Sequence, residues 1–147
     1  MKVFIGADHR GFEYKGELVS WLSSQGHEVV DEGADTFMQD DDYTSYAAAV
    51  AKSVRRDPSA RGVLLCGSGV GVSIMANRMK GVRCALGFQE EQVRHAVTND
   101  HANVLAVASE FTTLEQVQRL CEVFLSTDYT MDPRYIRRTE ALDQSVA

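Results

Sequence analysis

Residues 64–73 read LLCGSGVGVS. An apolar run ends at Cys66, and Gly67, Gly69 and Gly71 then alternate with Ser68 and Val70. A buried strand that breaks into a glycine turn and restarts as a helix has this form. It is the repeating unit of a parallel α/β sheet. The pattern continues in both directions. Apolar runs predict strands over 2–6, 27–31, 62–66, 82–86 and 104–107. Between them, helical spacing predicts helices over 12–25 and 43–56, from the glycine loop to about residue 78, and over 90–97. Gly26 can end the first helix, and the acidic stretch 32–42 reads as a loop. Thr112 and Glu115 have the spacing of a capping box, followed by an apolar face of Leu114, Val117, Cys121, Phe124 and Leu125. Asp132-Pro133 opens a last helix that runs past Arg138.

Five strands alternating with helices imply one parallel sheet covered by helices on both faces, in a single domain over 1–147. In such sheets ligands bind beyond the carboxyl ends of the strands, where the strand order switches. The unusual polar groups, Asp8-His9, Cys66 to Gly69, and Asn99 to Asn103, fall at strand ends or in adjoining loops. With 44% hydrophobic and 24% charged residues, the composition is that of a soluble globular protein. A net charge of −6 disfavours nucleic acid and anionic membrane surfaces as partners, but a few local arginines can still bind a small anion. The apolar stretch near the N-terminus is too short for a signal peptide, and no run approaches the roughly 20 residues of a membrane span. Three cysteines, at 66, 84 and 121, give neither a disulfide framework nor a metal knuckle. A reducing cytoplasm and no metal are the expectation.

Three readings of the glycine loop fail on particular residues. A dinucleotide fingerprint needs G-x-G-x-x-G after the first strand, whereas this is G-x-G-x-G after the third. A nucleotide P-loop needs a Gly-Lys-Ser/Thr ending, which is missing. A cysteine phosphatase needs an arginine where Val72 stands. What survives is a cradle of backbone N–H groups leading into a helix N-terminus, suited to an oxyanion or a phosphate. The same field stabilises a thiolate, which suits proton abstraction beside a carbonyl. Cys66 can equally be a small apolar strand residue, and spacing alone does not choose between the two.

Longer segments carry a resemblance. GADHRGFEYK at 6–15, DDYTSYA at 41–47, LLCGSGVGVSIMANRMKGVRCAL at 64–86, NVLAVAS at 103–109 and PRYIRRTEAL at 133–142 resemble the ribose-5-phosphate isomerase B family, which includes galactose-6-phosphate isomerase subunits. The match runs from Met1 to about Leu142. The resemblance implies a three-layer αβα sandwich with a Rossmann-like five-stranded sheet and an extra C-terminal helix. It implies a homodimer, or a dimer of such dimers, with sites between subunits. The implied chemistry is cofactor-free aldose–ketose isomerisation of a sugar phosphate, by default ribose 5-phosphate to ribulose 5-phosphate. In this correspondence Cys66 is the base between C1 and C2. Gly67, Ser68, Gly69, Val70 and Gly71 form the anion hole. Asp8 and His9 contact the sugar near its ring oxygen and phosphate, Tyr43 lies beside the substrate, and Arg134 and Arg138 bind phosphate.

Some positions depart from the family pattern. Asn99 stands where the family usually has a histidine that opens the furanose ring, and an amide cannot donate and recover a proton as imidazole does. Asp100, His101 or Asp8 is the candidate to take over as acid; otherwise the substrate is an open-chain sugar phosphate. Glu110 replaces a common phosphate-contacting arginine, Tyr135 a common histidine, and Thr44 a common proline. The base and anion hole are kept, while the parts that read the substrate are altered. A tetrulose phosphate or a six-carbon ketose phosphate is the alternative substrate, and sugar-phosphate binding without catalysis is the alternative function.

Overall fold

Branched apolar runs form five strands: β1 (Lys2–Ala7), β2 (Glu28–Asp31), β3 (Arg61–Cys66), β4 (Cys84–Leu86) and β5 (Val104–Ala108). In the computed structural model, which describes residues 1–144, they make one sheet in the order β2-β1-β3-β5-β4. Every pairing is parallel, with Ala7 beside Leu65 and Cys66 beside Ala108. The helices are α1 (Phe12–Ser24), α2 (Tyr43–Arg56), α3 (Val70–Ala76), α4 (Glu90–Asp100), α5 (Leu114–Ser126) and α6 (Pro133–Gln144).

Side chains of a strand alternate between its faces, so the sheet has two cores. Val63 and Leu65 of β3 join Leu18, Val97, Val117 and Phe124 beneath α1, α4 and α5. Leu64 and Cys66 face the other way, against Val50, Val54, Val72 and Ala76 of α2 and α3. The chain leaves β1 for β2 on one side and returns to β3 on the other. Strand order therefore switches between β1 and β3, and Asp8 and Cys66 flank that crevice.

The element boundaries differ from the sequence expectation in a few places. The capping box lies one residue later: Gln116 N–H donates to Thr113 Oγ1 at 3.2 Å and Thr113 N–H to Gln116 Oε1 at 2.8 Å. Glutamine closes such a box as well as glutamate does, so Thr113 wins and Thr112 bonds the Ala108 carbonyl instead. Helix α4 continues to Asp100 and ends where His101 turns left-handed, at φ 51. Helix α3 stops at Ala76 and β4 starts only at Cys84, because the Asn77 amide brackets the Cys84 backbone and closes a turn between them.

One buried ion pair fixes the α1 side of the site. Lys15 is 3% exposed; its Nζ donates to both oxygens of Asp31, at 2.7 and 2.6 Å, and to the Ala34 carbonyl. Asp31→Ala leaves that ammonium buried without a counter-charge. The expected loss is about 3 kcal/mol, kept to the low end because Asp31 is partly solvated, and read from the urea midpoint.

Candidate active site

Three loops meet at the carboxyl ends of β1, β3 and β5. The first, after β1, turns at Gly11, where a Cβ would lie 2.6 Å from that of Leu65. Asp8 closes the turn: its Oδ1 accepts the backbone N–H groups of Arg10 and Gly11 at 3.0 and 3.2 Å. The third loop staples the other two together. Ser109 N–H donates to the Cys66 carbonyl at 3.0 Å, and its hydroxyl lies 2.9 Å from the carbonyls of both Arg10 and Cys66. Glu110 N–H donates to the Gly67 carbonyl at 3.1 Å.

The second loop holds the thiol. Cys66 is buried at the end of β3, and its Sγ accepts the Gly69 N–H at 3.1 Å. A backbone donor on sulfur stabilises negative charge there. Gly69 is left-handed (φ 72), and a Cβ on it would lie 2.6 Å from Leu86 Cδ1 and 2.9 Å from the Val107 carbonyl carbon. Both conditions require glycine. Ser68 is exposed and accepts the Val70 N–H at 3.3 Å, so it helps start α3 at the rim. Gly71 lies under the Tyr43 ring, where a Cβ would come within 2.7 Å of ring carbons. Burial pushes both Cys84 and Cys121 up to about 12, on Cys84 outweighing a backbone hydrogen bond from Ala106, and keeps them as thiols.

His9 is gripped by Asp41. Its backbone N–H donates to Asp41 Oδ1 at 3.0 Å, and its Nδ1 lies 2.7 Å from the same oxygen. Burial alone would raise the Asp41 carboxyl. Hydrogen bonds from the His9 backbone, the His9 ring and Tyr46 outweigh that and hold it below the usual carboxylate range. Asp8, His9 and Asp41 bring possible ligand atoms within 4.8 Å of one another. One oxygen of each carboxylate, Oδ1, already accepts backbone N–H groups, and His9 Nδ1 is paired with Asp41, while the buried Asp41 Oδ2 has no hydrogen-bond partner among the described residues.

A model of the ribose/galactose isomerase family matches residues 3–142. The ribose-5-phosphate isomerase B of Mycolicibacterium paratuberculosis is 34% identical over 142 residues, covering 97% of this chain and 89% of that protein. The chain belongs to the ribose/galactose isomerase family. The solved structure of the Thermotoga maritima ribose 5-phosphate isomerase superposes with a TM-score of 0.92 at 34% identity, over 97% of each chain. That of the Mycoplasma genitalium ribose-5-phosphate isomerase B, with bound ribulose 5-phosphate, gives 0.93 at 34% identity, over 97% of this chain and 94% of that one. This isomerase therefore has the αβα fold expected of its family, and its activity is aldose–ketose isomerisation.

Asp8, His9, Tyr43, Cys66 and the 67–71 loop lie together. Asn99, Asp100, Arg134 and Arg138 do not join them. Asn99 and Asp100 end α4 just before β5 begins, at the amino end of the sheet. The expectation that the 99–103 stretch belongs to the same ligand-binding strand ends is thus corrected: it precedes a strand rather than following one. His101 is engaged there too, with Nε2 2.9 Å from the Thr130 carbonyl and its ring stacked on Tyr129. Helix α6 packs against α4, and Arg83 grips both oxygens of Asp143 at 3.0 Å. Arg134 and Arg138 are exposed, with guanidinium carbons 5.1 and 5.2 Å from the Tyr135 ring centre. The two ends of β3 are roughly 16 Å apart.

Two participants went unassigned in the sequence. Arg10 Nη1 lies 3.0 Å from both oxygens of Glu110, and together they cover Gly67, whose Cβ would meet them at 2.8 and 2.9 Å. The Glu110 carboxylate is thus paired with a cation from the β1–α1 loop. Asp41 is one of four consecutive polar residues, Gln39 to Asp42, and no local signal says which of them folds back.

Proposed function

We propose that the protein interconverts ribose 5-phosphate and ribulose 5-phosphate through an enediolate, with Cys66 as base. The observation that carries this reading is the Gly69 N–H on the Cys66 sulfur, inside a loop of backbone donors. The thiolate takes the C2 proton of the open-chain aldose and electrons move onto the C1 oxygen. N–H groups of Gly67 to Gly71, with Ser68 at the rim, hold the negative oxygen. The proton is returned to C1 and a hydroxyl proton moves from O2 to O1, so no cofactor or metal is invoked. Asp8 and His9 contact the sugar around its ring oxygen and phosphate, and Tyr43 covers it. The ribulose 5-phosphate in the Mycoplasma genitalium relative supports this substrate class.

A second copy of the chain completes the site, in a cytoplasmic homodimer. Asn99, Asp100, Arg134 and Arg138 lie too far from Cys66 to serve it within one chain. Val70 and Ile74, one helical turn apart at the rim of the Cys66 loop, are 44% and 52% exposed and give a partner an apolar surface to cover. Among the described residues no helix is long and apolar enough to cross a membrane.

Isomerisation of four-, five- and six-carbon sugar phosphates in deuterated water tests the proposal. Deuterium entering C1 of the ketose, with the highest kcat/KM for ribose 5-phosphate, is expected. Asn99 and Glu110 favour a different sugar phosphate as the second reading, and a tenfold preference for ribose 5-phosphate rejects it. Ligand stabilisation with no exchange would make the protein a binder.

Glu110 supplies a separate prediction. Arg10→Ala leaves its carboxylate uncompensated above Gly67, and KM for a sugar phosphate is expected to rise about tenfold. Adding Glu110→Gln should recover most of that loss, as measured by steady-state kinetics.

A further inference from the structure

His9 and Asp41 are arranged as an acid–base pair, not merely as a substrate contact. The Asp41 side chain is only 4% exposed, yet it comes from the acidic surface segment between β2 and α2. Its Oδ1 receives the His9 backbone and ring together, fixing both the position and the tautomer of the imidazole. Nδ1–H faces the carboxylate, and Nε2 has no hydrogen-bond partner among the described residues. The His9 side chain is 23% exposed, with Phe37 edge-on at 6.5 Å. The ionisable groups around the pair are Asp8 on the same loop, Tyr46 of α2 behind Asp41, and Asp35 and Asp42, whose charges act on Tyr46.

We propose that Asp41 is a positioning residue that makes His9 the acid–base group for opening the furanose ring, the task for which Asn99 has no proton. The inference rests on the isomerase reading above. The anomeric O1–H gives its proton to His9 Nε2. The C1–O4 bond breaks as C1=O1 forms, and the proton passes from Nε2 to O4. Atoms and charge balance without a co-reactant. Of the alternatives, His101 is less well placed, because its Nε2 is spent on the Thr130 carbonyl.

A difference between the two sugars supplies the test. Ribose 5-phosphate closes a furanose through O4. Ribulose 5-phosphate stays open, because the hydroxyl that would close a five-membered ring on its ketone carries the phosphate. Asp41→Asn is expected to lower kcat/KM for ribose 5-phosphate by about 10- to 100-fold, part of the 10²–10⁴ that a positioned acid–base group supplies. Solvent deuterium exchange at C1 of ribulose 5-phosphate, which needs no ring opening, should stay within about twofold of wild type. His9→Gln should lose ribose 5-phosphate turnover at least as far, and Asp41→Asn should add nothing further in that background. The exchange is read on the same sample and serves as its own folding control. Parallel loss of both reactions in Asp41→Asn, or an unchanged ribose 5-phosphate rate in it, overturns the proposal. A wild-type protein that does neither reaction overturns the isomerase reading, and this inference with it.

Discussion

Cys66→Ala is expected to lower ribose 5-phosphate isomerisation by about 10³-fold or more while the protein stays folded. In the proposed mechanism the thiol removes the carbon-bound proton, and an alanine leaves that step to water. The deuterium exchange should disappear in step, because both outcomes use the same proton transfer. The side chain is small and lies at the end of β3, so the deletion should cost only about 1 kcal/mol of stability. KM should change little, since the groups proposed to hold phosphate are untouched. Activity above one tenth of wild type, on a sample shown to contain no residual cysteine-bearing protein, would remove Cys66 from the mechanism.

Mixing two inactive proteins should produce an active one. Cys66→Ala lacks the base, and the double variant Arg134→Ala, Arg138→Ala lacks the proposed phosphate clasp; each homodimer carries two defective sites. After subunit exchange at equal concentration, about half of the dimers are hybrids, and each hybrid has one site with both parts intact. Recovery of about one quarter of wild-type activity is expected. Native mass spectrometry shows whether exchange has occurred. Hybrids that form and remain inactive would mean that the arginines do not serve the neighbouring chain.

The sheet and most helix boundaries were readable because parallel strands buried on both faces need continuous apolar runs, such as those at 62–66 and 104–107. What local patterns missed was set by side chains reaching across the fold. Asn77 delays β4 to Cys84, and Gln116 moves the capping box to Thr113. In the candidate site, LLCGSGVGVS was legible because the backbone demands at Gly69 and Gly71 fall on alternate positions of one short stretch. Asp41 and Arg10 were not, because their partners lie 32 and 100 residues away in the chain. Nor does spacing reveal that Arg134 and Asp100 stand at the opposite end of the sheet from Cys66.

The crowding around the glycine loop has an evolutionary consequence. Side chains press on Gly67, Gly69 and Gly71 from Arg10, Glu110, Leu86 and Tyr43, so nearly any change there disturbs packing and chemistry together. Arg10, Asn99, Glu110, Arg134 and Arg138 sit at the surface or near helix ends, where substitution leaves the core intact. Mutational drift is therefore channelled toward the positions proposed to face the sugar and away from those proposed to make the enediolate. A lineage built on this scaffold can change its diet while keeping its reaction.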